Sequence, residues 1–423
     1  MVAIACGGSG GHLFPGLAAA ERLLQRGCAV TLFVSPREVD QRGVSGWLRE
    51  MDKRRLDGRQ KEDLRDERAW TESADNSASS TVARALSRDE PQPLRQGKGF
   101  LLPIAGAAGV VSGVKVVVLP AVGLQRGGQI AFVRGLIQSY RASKKVFASY
   151  PPQAALAMGG FTSAPVILAA RRGGARTFLH ESNAIPGRAN RWLSRIVDHA
   201  FVGFPSAGAR LHCRNVRVTG TPVRPQFQVL DAAVCREALG LDAGHPVVLV
   251  MGGSQGAGGI NEIVMKALPL LAKLAPDLQW FHLSGAADCE KVERAYAASK
   301  LKAVVHPFFD RMELALGAAT AAISRAGASS LAEIAAVRVP AVLVPYPAAM
   351  NNHQFHNARA FAATGAARLL KQSDATSERV APQLLDLVEN AAARQTMQGA
   401  LARWHYPSAA EQIVSGLLAT AAP

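Results

Sequence analysis

The sequence predicts an α/β protein of two doubly wound parallel-sheet domains that face one another across a cleft. Three observations predict it. Short apolar runs of strand length recur along the chain, at Val2–Ala5, Cys28–Val34, Val114–Leu119, Ala154–Met158, Thr177–Leu179 and Val216–Thr219 in the first half. The second half repeats them at Val247–Met251, Gln279–Leu283, Ala303–His306, Ala321–Ser324 and Val339–Val344, with helical stretches between. Four of these runs lead directly into turns of glycine and other small residues, at 7–11, 159–163, 252–256 and 326–330. At 423 residues the chain also exceeds one ordinary core.

Composition narrows the class. The chain is 48% hydrophobic and 6% aromatic, so it is globular and aliphatic. No run reaches the roughly eighteen unbroken apolar residues of a membrane span. No basic stretch precedes Val2–Ala5, so no signal peptide is expected. The five cysteines are scattered and never in CxxC spacing, which argues for reduced thiols and against zinc. The net charge of +16 favours anionic partners. Aromatics are not interleaved with the basic residues as a stacking platform needs, so nucleic acid is not expected. An acidic membrane surface and pyrophosphate substrates fit better.

The first strand runs into Gly7-Gly8-Ser9-Gly10-Gly11-His12, with a helix expected from Leu17 to Arg26. Glycines let the backbone bend sharply and approach a phosphate or sugar closely. The turn is not a G-x-G-x-x-G with a following acidic residue, which disfavours a nicotinamide cofactor. His12, at its mouth, is a cap or surface residue on one reading and a general base on the other.

From Trp47 to about Gln96 the chain mixes both charges with a Ser/Asp/Asn stretch, and lacks the apolar surface to fold alone. Gly99–Gly113 is apolar but broken by Pro103 and glycines. Val44-Ser45-Gly46 recurs as Val111-Ser112-Gly113, so about 45–113 reads as an insertion. It falls at the amino end of the parallel strands, whereas ligands bind at the carboxyl ends. Deleting Trp47–Ser112 is therefore expected to leave activity largely intact.

Past the insertion, a helix over Gln129–Tyr140 carries Ile130, Val133, Leu136, Ile137 and Tyr140 on one face, with Arg134 and Lys144-Lys145 nearby. Such a stripe reads as core packing, or as a basic-rimmed apolar patch resting on a membrane through Ile130, Phe132, Val133 and Leu136. Thr177–Leu179 delivers His180-Glu181-Ser182-Asn183, Pro186 opens the following helix, and Gly220–Pro225 reads as a hinge.

The densest pattern lies between Ser324 and Asn357. A strand ends at Ser324-Arg325, and a small-residue turn opens a helix whose first N–H groups make an anion site. Ser329 or Ser330 can cap it, with Glu333 at capping-box distance from Ser330. The rival reading makes Glu333 a carboxylate that accepts hydrogen bonds from a sugar's vicinal hydroxyls. After the next strand come Asn351, Asn352, His353, Gln354 and Asn357, hydrogen-bonding groups at a strand's carboxyl end. Strand, turn, Glu-bearing helix, strand and amide-bearing helix together read as a nucleotide-sugar site.

GGSGGHLFPG, MGGFTSAP, HESNAIPGRANRWL, TGTPVR, GGSQGAGGIN, SRAGASSLAEIAA and HQFHNA, in that order, resemble the MurG family of glycosyltransferases. The resemblance spans the chain apart from the insertion. It implies two Rossmann-like domains in the GT-B arrangement: 1–224 on the acceptor and membrane side, 225–405 binding UDP-GlcNAc, and a helix within 406–423 packing back on the first. It implies inverting transfer of GlcNAc to the C4 hydroxyl of the muramyl sugar of lipid I, giving lipid II in peptidoglycan synthesis.

By the same resemblance, His12 is the base and Glu333 holds the ribose hydroxyls. Ser254 and the helix start Ala328, Ser329, Ser330, Leu331 and Ala332 face the diphosphate, and Arg224 reaches the nucleotide. Phe309 faces the uracil, where the family carries an aliphatic residue; recognition by backbone atoms tolerates the change. Gln354 and Asn357 bind the GlcNAc hydroxyls, while Ser9, Gly10, Gly11 and Asn183 approach sugar and acceptor. No cofactor is implied, and without an Asp-x-Asp no metal of that type is expected. The implied location is peripheral, on the cytoplasmic face of the inner membrane, with cell-wall and division proteins as further partners. A UDP-GlcNAc 2-epimerase-like enzyme and a non-catalytic membrane scaffold are the alternative readings of the same architecture.

Overall fold

The computed structural model describes residues 1–54, 113–121, 123, 128–252 and 258–419. The chain divides into a large unit, Met1–Gly43 with Gly113–Pro423, and a small one, Val44–Ser112. Of the small unit only residues 44–54 are described, and they are helical, with Arg54 Nε donating to Glu50 Oε1 at 3.2 Å. The expectations for Trp47–Gln96 and Gly99–Gly113 therefore fall almost wholly outside the described residues.

The large unit holds two parallel sheets. The first has the order β3-β2-β1-β4-β5-β6-β7. Its strands are β1 (Val2–Ala5), β2 (Val30–Val34), β3 (Val114–Val118), β4 (Ala154–Ala157), β5 (Arg176–Glu181), β6 (His199–Val202) and β7 (Val216–Val218). The second has the order β10-β9-β8-β11-β12-β13. It comprises β8 (Val247–Met251), β9 (Gln279–Leu283), β10 (Ala303–His306), β11 (Ala321–Ser324), β12 (Ala341–Leu343) and β13 (Arg368–Leu369). In each sheet the order reverses beside the first strand, between β1 and β4 and between β8 and β11. Those switch points open a crevice at the strands' carboxyl ends. Register brings the walls level there: Ala5 pairs with both Phe33 and Ala157, and Ser324 with both Met251 and Leu343.

The central strands are wholly buried and almost entirely apolar, as a sheet covered on both faces requires. The second domain's core adds the ring pair Trp280 and Tyr296, 5.6 Å apart. The helix Ala409–Ala419 packs on the first helix, where Glu411 accepts from both Arg22 and Arg26.

Several local expectations are corrected. The first helix begins at Gly10, seven residues earlier than expected, with Ser9 as its N-cap and Pro15 inside it. β5 runs to Glu181, so His180 and Glu181 are strand residues and not part of a loop. The helix expected over Gln129–Tyr140 continues to Ser149. Its buried face is Gly135, Ser139, Ser143 and Phe147, spaced by four, because small residues let it lie close against the helix Ser163–Arg172. Ile130 is 86% exposed, Val133 50% and Ile137 46%. The core-packing reading therefore fails for Ile130, Val133 and Ile137, while Tyr140 does pack against the first domain's core.

Candidate active site

One wall is built from two glycine turns. β1 leads through Cys6 into Gly7-Gly8, and the helix that follows carries Ser9 at its cap and His12 in its first turn. Ser9 Oγ lies 3.0 Å from His12 Nδ1. β4 delivers Gly159 against the imidazole at φ +107°, where a Cβ would stand 2.7 Å from His12 Cδ2 and 2.8 Å from Nε2. Only glycine fits both that backbone and that approach. Thr162 Oγ1 donates to Gly7 O at 2.9 Å and laces the turns together. Burial, with His353 and His180 adding repulsion, lowers the His12 pKa to about 4, so its imidazole is neutral near pH 7.

The end of β5 is a buried polar network. His180 Nε2 donates to Gly220 O at 2.9 Å, leaving Nδ1 to accept from Ser182 Oγ at 3.2 Å. Burial puts its pKa at about 4. Glu181 accepts from Asn183 N at 2.8 Å, Asn183 Nδ2 at 3.1 Å, Gly187 N at 3.0 Å and Asn190 Nδ2 at 3.0 Å. Burial pushes this carboxyl upward while those bonds pull it back. Two of those four bonds come from Asn183, whose side chain is thereby oriented against the carboxylate.

The facing wall belongs to the second domain. The helix Ala328–Val337 has Gly327 as its N-cap and no side-chain cap. The expected capping by Ser329 or Ser330 does not form, since the helix starts early enough to place both serines inside its first turn. Its first N–H groups are left pointing outward. Ser329 Oγ instead donates to Gly11 O at 3.4 Å. That carbonyl is available because Pro15, four residues on, has no N–H to give it. The two helix starts thus meet, each with its positive end toward the crevice.

Glu333 is 9% exposed, and burial raises its pKa to about 7; Arg224 pulls it down and Glu313 pushes it up. The Arg224 guanidinium lies 5.0 Å from the Phe14 ring and 5.1 Å from Phe227, and its Nε has no protein partner. Gln354 Oε1 accepts from Tyr346 N at 2.9 Å and Ala326 N at 3.3 Å, which turns its amide N–H groups away from those bonds. Asn357 is fully buried, accepting from Ala184 N at 2.8 Å and donating to Asn183 Oδ1 and Ala326 O, both at 3.1 Å.

Hydrogen bonds therefore join Ser9 to His12, Gly11 to Ser329 and Asn183 to Asn357. Gly10 is buried in the first turn with Gly11 half-buried; Ala328 and Leu331 are buried and Ser330 and Ala332 half-buried. Phe309 lies apart from these bonds, stacked on His306 at 5.4 Å and edge-on to Phe281 at 5.0 Å. Ser254 lies outside the described residues.

Other participants carry no local signal in the sequence. Asn190 and Asp40 reach the site through bonds to residues nine and thirty-two positions away. Arg325 is 4% exposed and donates to Val344 O at 3.0 Å and Pro345 O at 3.3 Å, securing the turn after β12. Asn351 and Asn352 both take left-handed backbone, φ 52° and 53°, which asparagine tolerates, and so bring His353 to the crevice.

Residues 247–413 match the glycosyltransferase family 28 C-terminal domain, and residues 2–47 with 106–202 match the glycosyltransferase family 28 N-terminal domain. A protein of Anaeromyxobacter sp. (strain K) is 37% identical over 280 residues, 66% of this chain and 71% of its own length. A protein of Citrifermentans bemidjiense is 30% identical over 420 residues, 98% of both. Both are described as UDP-N-acetylglucosamine--N-acetylmuramyl-(pentapeptide) pyrophosphoryl-undecaprenol N-acetylglucosamine transferase. Among solved structures, Acinetobacter baumannii MurG superimposes with a TM-score of 0.64 at 24% identity over 99% of both chains. A UDP-GlcNAc 2-epimerase from Neisseria meningitidis gives 0.62 at 12%, covering 99% of this chain and 100% of its own. At those identities the likeness is one of fold, and transferases and epimerases share it.

Proposed function

The chain belongs to glycosyltransferase family 28, and from that premise we propose that it moves GlcNAc from UDP-GlcNAc to the muramyl C4 hydroxyl of undecaprenyl-pyrophosphoryl-MurNAc-pentapeptide, turning lipid I into lipid II for peptidoglycan. The observation that carries the reading is the likeness, over 98% of both chains, to a relative described as that transferase. Epimerases share only the fold, so they have no comparable support.

The chemistry is one inverting displacement. His12, neutral, takes the proton of the C4 hydroxyl at Nε2, while Nδ1–H donates to Ser9 Oγ. The C4 oxygen bonds to the anomeric carbon as the bond from that carbon to the UDP oxygen breaks, giving a β-1,4 link. The N–H groups at the start of Ala328–Val337, with Ser254, receive the charge growing on the diphosphate, and Arg224 adds its guanidinium. Glu333, ionised, accepts from the ribose hydroxyls, and the backbone beside Phe309 reads the uracil. Gln354 meets the GlcNAc hydroxyls through its amide N–H groups. Asn357 joins it only by giving up its bond to Asn183. Ser9, Gly10, Gly11 and Asn183 line the acceptor side.

Residues 1–224 form the acceptor side, 225–405 hold the donor, and the segment 406–423 returns to the first domain. The enzyme works at the cytoplasmic face of the inner membrane, beside other cell-wall and division proteins. Among the described residues no helix is long and apolar enough to cross a membrane. Binding is peripheral, through the hollow lined by Ile130, Val133, Ile137, Arg134 and Arg141. Labelled UDP-GlcNAc with a lipid I analogue tests the reaction: labelled lipid product supports it, and isomerised donor without acceptor supports an epimerase instead.

A further inference from the structure

The turn that carries Ser9 and His12 is gripped by two side chains that lie beyond the end of β2. The Gly8 N–H donates to Asp40 Oδ2 at 2.7 Å. The same oxygen accepts from Ser35 N at 3.0 Å and Ser35 Oγ at 2.5 Å. On the other side of the residue, Arg37 Nη1 donates to Gly8 O at 2.8 Å. The Arg37 guanidinium is itself braced 5.1 Å over the Phe161 ring. Gly8 sits at φ +119°, and a Cβ on it would come 3.1 Å from that ring.

Asp40 is 0% exposed, and its Oδ1 has no partner. A buried carboxylate is costly unless it is bonded, and here a single oxygen does all the bonding. The next residue along from Gly8 is Ser9, extended at φ −167° and ψ 159°, whose hydroxyl meets His12 Nδ1. With both peptide groups flanking Gly8 fixed, Ser9 has little freedom to turn its hydroxyl away.

We propose that Asp40, assisted by Arg37, is a positioning residue for the catalytic histidine: by clamping Gly8 it holds the Ser9 hydroxyl on His12 Nδ1, and so keeps Nε2 as the nitrogen that accepts the acceptor's proton. The inference rests on the reading of His12 as the base. Asp40 itself touches no substrate. The rival role is stability alone, as the tie between β1 and β2 at their carboxyl ends.

The full chain is compared with Asp40→Ala, Asp40→Asn and Arg37→Leu by two readouts. The first is the ¹⁵N spectrum of the His12 ring with pH, which needs no transfer activity. Wild type is expected as a single neutral tautomer with the proton on Nδ1, and Asp40→Ala as a mixture of the two neutral tautomers. The second is kcat against KM. Asp40→Ala is expected to lower kcat by about a hundredfold with KM for UDP-GlcNAc within about threefold. Asp40→Asn keeps an oxygen where the three bonds meet, and is expected to stay within about fivefold of wild type.

A folded Asp40→Ala with the wild-type tautomer, or with kcat unchanged, overturns the proposal. If Asp40→Ala does not fold, Arg37→Leu decides, since it removes the grip on the Gly8 carbonyl, with the guanidinium's contact to Phe161, and leaves Asp40 in place. A mixed tautomer with reduced kcat supports the proposal and an unchanged ring spectrum overturns it. Absence of transfer by wild type would defeat the functional reading instead, and the ring spectrum would still test the clamp.

Discussion

Asn357 of the second domain donates its side-chain amide to Asn183 Oδ1 of the first at 3.1 Å, while its own Oδ1 takes the Ala184 N–H at 2.8 Å. Asn183 is in turn held by Glu181. A buried amide thus fastens the two domains at the crevice. Replacing Asn357 with alanine leaves the Ala184 N–H and Ala326 O without their bonds, and is expected to lower unfolding free energy by about 1–3 kcal/mol. Because the two side chains are partners, Asn357→Ala and Asn183→Ala together should be less harmful than their sum. Denaturant melts of both singles and the double measure this; strict additivity would show that the contact does not couple the domains.

Glu333 has a pKa of about 7, raised mainly by burial. If ribose hydroxyls donate to its ionised form, the bound carboxyl titrates lower than the free one. Binding of UDP then tightens as pH rises toward 7, by up to about tenfold per pH unit below it, and levels off above. Calorimetry from pH 5.5 to 8.5 reads this slope, and Glu333→Gln should flatten it. A wild-type affinity independent of pH over that range would remove Glu333 from the ribose.

His282 donates from Nε2 to Asn261 Oδ1 at 2.9 Å, accepts from the Tyr296 hydroxyl at 2.9 Å, and titrates at about 3 because burial disfavours its charged form. The unfolded chain takes up a proton near 6.5 that the folded one refuses. The stability this residue supports is therefore complete above about pH 6.5 and declines as pH falls toward 3. The cost of His282→Gln should shrink by about 2 kcal/mol between pH 7 and pH 5. Equal costs at both pH values would mean that the imidazole is not held neutral.

The sequence made the sheets legible because strands buried on both faces are unbroken apolar runs, and β8, Val247–Met251, needs no context to be seen. β13, two residues long, and β6, a short run opening on His199, offered too little pattern. The helix starts were harder. GGHLFPG reads as a loop by composition, yet it is helical from Gly10, since tertiary contacts with β4's turn and with Ser329 outweigh glycine's poor propensity. The placement of His12, Glu333 and Gln354 on helices that follow strand ends was legible from residue type and pattern. The pairing of Asn357 with Asn183, and the grip of Asp40 on Gly8, could not, because the partners are far apart in the chain and on different elements.

The helix Gln129–Ser149 presents Ile130, Val133 and Ile137 outward, with Arg134 and Arg141 on the same exposed surface. Cosedimentation with vesicles containing phosphatidylglycerol should be strong at low salt and weaken as salt rises. Arg134→Gln with Arg141→Gln should reduce it by about 1 kcal/mol per charge. Ile130→Glu with Ile137→Glu should abolish most of it while leaving UDP binding intact. Failure to bind anionic vesicles, or binding indifferent to salt, would contradict this surface.

The most direct measurement is transfer of radiolabelled GlcNAc from UDP-GlcNAc to a lipid I analogue by wild type, His12→Ala and Glu333→Ala, with UDP binding measured alongside. The expected result is labelled lipid from wild type, a loss of about 10²–10⁴-fold in kcat for His12→Ala with UDP still bound, and a loss expressed through UDP binding for Glu333→Ala. Folded wild-type protein that binds UDP yet labels no lipid would contradict the assignment of this reaction to the site.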